Sequence, residues 1–139
     1  MRFDLVDAVL EQGPETIVTV KHVTAGEEYL RDHFEGYPVL PGVMMLEAMV
    51  QAARRLALTK RHDCRWVLGE ARAIKYGRMV RPGDTLRVRV SLSGGSGETL
   101  EFKGEGEVLI GAGEGALAAS GRFGLRPVRL GVGVGGAGA

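Results

Sequence analysis

Two side chains that can move protons lie near each other in the first half of the chain, His33 and Glu47. His33 lies in a loop rich in proline and glycine, and Glu47 follows it by 14 positions inside a long apolar segment. An imidazole titrates near neutral pH and can act as a base, whereas a carboxyl group among apolar side chains can hold or relay a proton. The pair therefore predicts acid–base chemistry, provided that the fold brings the two side chains together.

The apolar segment that carries Glu47 is predicted to be the central helix of the domain. Pro41 stands where proline is best tolerated, at the start of a helix, and only Gly42 among the following residues is a poor helix former. Apolar side chains cover nearly the whole helical wheel over residues 43–58, which is typical of a buried helix. One narrow polar strip interrupts the wheel and consists of Glu47, Gln51 and Arg54.

Helix geometry alone leaves two interpretations of Glu47 open. An unpaired carboxylate in a core costs on the order of several kcal/mol, so Glu47 is expected to be paired, protonated or used in catalysis. Pairing with Arg54, or with main-chain donors of another chain, would give it a structural role. Proton transfer to a substrate would give it a catalytic one.

Length and composition predict one globular domain of ordinary size. The chain has 139 residues, of which 45% are hydrophobic and 25% charged, and a formal net charge of +1. No long apolar run and no signal-peptide pattern are found, so the cytoplasm is expected. The small net charge gives no bulk attraction to nucleic acid, and neither nucleic acid nor a membrane is expected as a partner. A single cysteine, Cys64, without ligand-spaced neighbours predicts neither a disulfide nor a metal site.

The remaining sequence predicts a sheet that covers the helix. The predicted strands lie at 3–11 and 16–23 before the helix, and at 66–76, 85–93, 100–110 and 115–125 after it. A helix that is apolar on nearly every side is best covered by a curled antiparallel sheet of about six strands, which is the α+β hotdog fold. Because a sheet edge and helix faces remain open, a homodimer or a higher assembly of dimers is expected. The predicted domain spans 1–126, followed by a flexible glycine-rich tail at 127–139.

The loop and the start of the helix carry a specific motif. It reads HFEGYPVLPGV at 33–43 and LEAMVQ at 46–51. It resembles the H-F-x-G-x-P-x-x-P-G-(V/C)-x-x-x-(E/D)-A-M-x-Q signature of bacterial (3R)-hydroxyacyl-acyl carrier protein dehydratases of the FabZ and FabA type, and the spacing from His33 to Glu47 also matches. The segment VRPGD at 80–84 is similar to that family's V-x-P-G-D turn. Glu35 stands where members of the family usually have proline.

The resemblance implies a hydro-lyase that removes water from a 3-hydroxyacyl thioester and leaves a trans-2-enoyl thioester, in fatty acid or related acyl-chain synthesis. No bound cofactor is implied, since the substrate is carried on the phosphopantetheine of an acyl carrier protein or of coenzyme A. By the same resemblance, His33 of one subunit faces Glu47 of the other. The homodimer would then be a requirement of catalysis.

Further residues would support this chemistry. The amide N–H groups of Gly42 and Val43 open the helix, and such unpaired donors could stabilise the charge that develops on the thioester oxygen. Gln51 lies one turn after Glu47 and would orient its carboxyl group. The other supporting residues of the motif are Gly36 and Pro41. A basic surface for docking an acidic carrier protein is assigned to Arg54, Arg55, Arg78 and Arg81.

Two other functions remain open at this point. A hotdog acyl thioesterase would use a carboxylate on the helix to activate water, and it would release a free thiol. A noncatalytic homologue would bind acyl chains or hold a partner without turning them over. The presence of both His33 and Glu47 favours the dehydratase over these alternatives.

Overall fold

A computed structural model describes residues 4–24, 40–110 and 114–129 of the chain. Within these residues the chain forms six strands and one long helix. They are β1 (Ala8–Gln12), β2 (Thr16–His22), α1 (Gly42–Lys60), β3 (Cys64–Tyr76), β4 (Thr85–Ser96), β5 (Thr99–Ile110) and β6 (Glu114–Arg129).

The strands pair antiparallel in a single sheet with the order β1-β2-β4-β5-β6-β3. The alternation on β4 shows which face is covered, because Leu86 and Val88 are buried whereas Arg89 is exposed. The buried face packs against α1, which contacts every strand from β2 to β6. This confirms the predicted α+β hotdog fold, in which one curled antiparallel sheet covers a central helix.

Pro41 immediately precedes the first helical residue, and its carbonyl oxygen accepts the N–H groups of Met44 and Met45. The buried side chains of α1 belong to the hydrophobic core and are Met45, Ala48, Met49, Val50, Ala52, Ala53, Leu56 and Ala57. Val43 is 63% exposed and Leu58 is also exposed, so the described residues leave part of the helix uncovered. Over the part of the chain that the structure describes, no helix has the length and hydropathy needed to cross a membrane.

One glycine of the sheet sets how closely the helix can approach. A Cβ atom on Gly104, in β5, would lie 2.8 Å from Sδ of Met49, on α1. Real Cβ atoms do not approach a heavy atom so closely, and therefore only glycine fits here without displacing the helix side chain.

Some element bounds differ from those predicted. The first strand begins at Ala8, later than predicted, and the main-chain N–H of Leu5 before it bonds to a helix side chain instead of to a neighbouring strand. β4 continues through the predicted glycine turn as far as Ser96, paired with β5. β6 continues to Arg129, and residues 127–129 pair with β3. These three residues, which were assigned to the tail, thus belong to the sheet, and residues 130–139 lie outside the described part.

Candidate active site

The predicted site residues fall into two groups. Those on α1 and on the loop after β3 are described by the structure, whereas His33, Glu35 and Gly36 lie outside the described residues. The pairing of His33 with Glu47 therefore stays a prediction, and the described part of the site lies on the helix side.

Glu47 projects from the second turn of α1 and is held by two neighbours on the same helix. Its Oε2 accepts a hydrogen bond of 2.9 Å from Nε2 of Gln51. Nη1 of Arg54 lies 3.6 Å from the same oxygen, which is an ion-pair distance. The side chain of Glu47 is 37% exposed in the single chain, so the expected burial in the core is not reached. Gln51 makes the contact expected of it, and the alternative pairing with Arg54 is present as well.

Gln51 ties this carboxyl group to the beginning of the chain. Its Oε1 accepts the main-chain N–H of Leu5 over 2.8 Å, a contact between residues 46 positions apart. The main-chain N–H of Leu5 can bond only to the oxygen of the Gln51 amide. The NH2 group of Gln51 therefore faces Glu47. Sequence analysis missed the role of Leu5, since nothing in a main-chain amide marks it before the fold is known.

The start of α1 presents the two amides expected to stabilise negative charge. The N–H groups of Gly42 and Val43 have no acceptor within the helix, as at any helix start, and no described residue accepts a hydrogen bond from them. The segment before them is fixed, because the N–H of Leu40 donates to the carbonyl oxygen of Val80 over 2.7 Å. Among the described residues, these two donors are therefore left without an acceptor and can point at a ligand.

Tyr76 covers one side of this helix start. A Cβ atom on Gly42 would lie 3.0 Å from Cε1 and Cζ of Tyr76, so the aromatic ring lies directly against the Cα atom of this glycine. Tyr76 ends β3, and half of its surface is exposed. Sequence analysis did not single it out, although an aromatic residue at the end of a strand near the VRPGD turn was a visible signal.

The four arginines assigned to carrier docking do not form one surface. Arg78 and Arg81 line a cavity of about 650 Å³ together with Asp84, whose Oδ2 accepts the main-chain N–H of Arg81. Arg54 lines a separate cavity of about 290 Å³. Arg55 is exposed on α1, and Glu47 lines neither cavity. The structure thus brings Arg78 and Arg81 together, close to the loop that anchors the start of the helix.

No cluster of potential metal ligands is found among the described residues. Within them, no three side chains of His, Cys, Asp or Glu converge as metal ligands would. Cys64 is buried at the beginning of β3.

Comparison with known proteins gives consistent matches. Residues 10–121 match the family model described as ApeI-like, ApeI dehydratase. Over 119 residues the chain is 37% identical to a protein named 3-hydroxyacyl-(acyl-carrier-protein) dehydratase FabZ from Streptococcus pneumoniae (strain Hungary19A-6), covering 84% of this chain and 81% of that protein. Over 90 residues it is 41% identical to a protein of the same name from Lactobacillus helveticus (strain DPC 4571). That match covers 63% of this chain and spans 61% of the relative's length.

A solved structure shares the fold. The chain resembles a chain of the dehydratase heterocomplex ApeI:P from Xenorhabdus doucetiae with a TM-score of 0.67, over 90% of this chain and 99% of that one. The sequence identity is 18%, so this likeness bears on the fold alone.

Proposed function

The chain belongs to the ApeI-like dehydratase family, and we propose that it is a 3-hydroxyacyl thioester dehydratase whose substrate is carried by an acyl carrier protein. The observation that carries the proposal is the arrangement at the start of α1, where two amides without an acceptor in the described part of the chain precede a carboxyl group that its neighbours hold in position. An acid–base group beside an oxyanion site is what elimination next to a thioester requires.

The proposed reaction divides the work among three groups. His33 takes a proton from C2 of the 3-hydroxyacyl thioester, and negative charge develops on the thioester oxygen. The N–H groups of Gly42 and Val43 stabilise that charge, since they are fixed before the substrate arrives. Glu47 gives a proton to the hydroxyl group that leaves C3, so that water departs and a C2–C3 double bond forms. Return of the proton from His33 to Glu47 completes the cycle.

We further propose that each site is shared between two copies of the chain, with His33 of one copy facing Glu47 of the other. In the described part of the sheet, β3 is an edge strand, hydrogen-bonded on one side only, to β6. An uncovered edge beside exposed apolar side chains supports pairing with a second copy. Those side chains, close to the edge or on the open side of α1, are Val43, Leu58, Leu68, Tyr76, Met79 and Leu117.

Docking of the carrier is proposed at the cavity that Arg78 and Arg81 line. Acyl carrier proteins are acidic, and basic residues at the rim of a site accelerate encounter with an acidic partner. The cavity adjoins the loop that holds the start of α1, because Leu40 bonds to Val80 between the two arginines. A cytoplasmic location belongs to the same proposal.

The products of acyl thioester turnover test this function. The chain is incubated with 3-hydroxyacyl thioesters on acyl carrier protein and on coenzyme A, and the products are identified by mass spectrometry. A dehydratase forms the trans-2-enoyl thioester with the thioester bond intact. Release of free thiol without the enoyl product would identify a thioesterase instead, and binding without turnover would identify a noncatalytic homologue.

A further inference from the structure

Arg54 lies on α1 but is anchored to the sheet. Its Nε donates a hydrogen bond of 2.9 Å to the main-chain carbonyl oxygen of Trp66, on β3. Trp66 is itself fixed, because it is only 4% exposed and its Nε1 donates to the carbonyl oxygen of Arg61. The guanidinium group of Arg54 therefore has a firm attachment outside its own helix.

The other side of this guanidinium group faces Glu47. Nη1 of Arg54 lies 3.6 Å from Oε2 of Glu47, and Gln51 donates to the same oxygen. Oε1 of Glu47 has no hydrogen-bond or ion-pair partner among the described residues. One carboxylate oxygen thus accepts a hydrogen bond from Gln51 and forms an ion pair with Arg54, and the second oxygen is left for another partner.

We propose that Arg54 is a positioning residue for Glu47, and that together with Gln51 it holds Oε2 so that Oε1 exchanges the proton with the substrate. A guanidinium group suits this task because its nitrogens form a rigid planar fork that reaches two acceptors at once. Partly exposed ion pairs add little stability, so the effect of Arg54 lies in the orientation of Glu47. The proposal rests on the dehydratase function above, and it assigns Arg54 to catalysis and not to carrier docking.

The test compares three variants with the wild-type chain on carrier-bound and coenzyme A thioesters. Arg54→Met keeps the aliphatic stem and removes the guanidinium group, Arg54→Lys restores only the charge, and Arg65→Met changes another arginine of the same cavity. We expect Arg54→Met to lower kcat up to about a hundredfold on both substrates, with little change in KM, because a misplaced catalytic group slows the chemical step. Arg54→Lys should recover part of kcat, and Arg65→Met should match the wild type.

Two results would overturn the proposal. They are an unchanged kcat in Arg54→Met and a loss confined to a higher KM for the carrier-bound substrate. The second would assign Arg54 to docking.

A second readout needs no activity and separates this proposal from the proposed function. In protein labelled with carbon-13 at glutamate, the side-chain carboxyl resonance of Glu47 is assigned by its loss in Glu47→Gln. The resonance should move in Arg54→Met and stay in place in Arg65→Met. An unmoved resonance in Arg54→Met would overturn the positioning role, whereas a wild-type chain that forms no enoyl product would overturn the dehydratase function alone.

Discussion

Nε2 of Gln51 donates a 2.9 Å hydrogen bond to Oε2 of Glu47, one helical turn away. The same amide accepts the N–H of Leu5 through its oxygen. The orientation of the predicted acid thus depends on a contact with the first described segment of the chain.

Replacement of Gln51 should affect both stability and turnover. Gln51→Leu leaves the N–H of Leu5 without its side-chain acceptor and frees Glu47, so we expect a loss of about 1–3 kcal/mol in the free energy of unfolding and a lower kcat. Gln12→Leu, at an exposed position of β1, is the control and should stay within about 0.5 kcal/mol of the wild type. Urea unfolding measures the difference, and equal effects of the two substitutions would contradict the bridging role.

Gly104 should tolerate no larger side chain. In Gly104→Ala the new Cβ atom would press on Sδ of Met49, and we expect destabilisation of about 1–3 kcal/mol from overpacking beneath α1. At Gly69 the nearest atom to a new Cβ is 3.5 Å away, so Gly69→Ala is a matched glycine substitution without a clash. The midpoints of thermal unfolding are compared between Gly104→Ala and Gly69→Ala, and the midpoint of Gly104→Ala should be the lower one. Similar midpoints would mean that the helix can move away from the sheet at little cost.

Thr19 carries a buried hydroxyl group that lacks a partner in the described structure. It lies on β2, fully buried, opposite Val88 of β4, and no described group bonds to its Oγ1. Thr19→Val removes the unsatisfied polar atom and keeps the shape, so we expect a gain of about 1 kcal/mol in unfolding free energy. Thr16→Val, on the exposed end of the same strand, controls for strand propensity. A loss of stability in Thr19→Val would reveal that the hydroxyl group has a partner.

The sequence determines the central helix and its polar strip because both follow from local periodicity. The helix begins at Gly42, within one residue of the predicted start, and Glu47, Gln51 and Arg54 do meet on one face. The contact of Leu5 with Gln51 could not be predicted, since it joins distant segments through a main-chain amide that has no sequence signature. The sequence did not predict that β6 continues past residue 126, because Pro127 and the glycines that follow it are typical of an unpaired tail. Only the structure shows the pairing of these residues with β3.

Carrier docking at Arg78 and Arg81 predicts a dependence on salt. Charges at a rim act mainly on association and are screened within about 8 Å at physiological ionic strength. For the carrier-bound substrate, kcat/KM should therefore fall as salt is added, while the value for the coenzyme A thioester changes less. Arg78→Ala with Arg81→Ala should flatten this dependence. Arg89→Ala, exposed on β4, is the control, and an equal flattening there would show a general charge effect instead of docking.

The central claim is that His33 of one chain and Glu47 of another together remove water from the substrate, and subunit exchange tests it most directly. His33→Ala and Glu47→Ala chains are prepared separately, mixed under conditions that allow exchange, and assayed for the enoyl product. Each variant alone should be inactive, whereas random mixing should restore roughly a quarter of the wild-type activity, because half of the dimers then contain one intact site of two. Mixed dimers that form, as native mass spectrometry would show, and yet remain inactive would contradict the shared site.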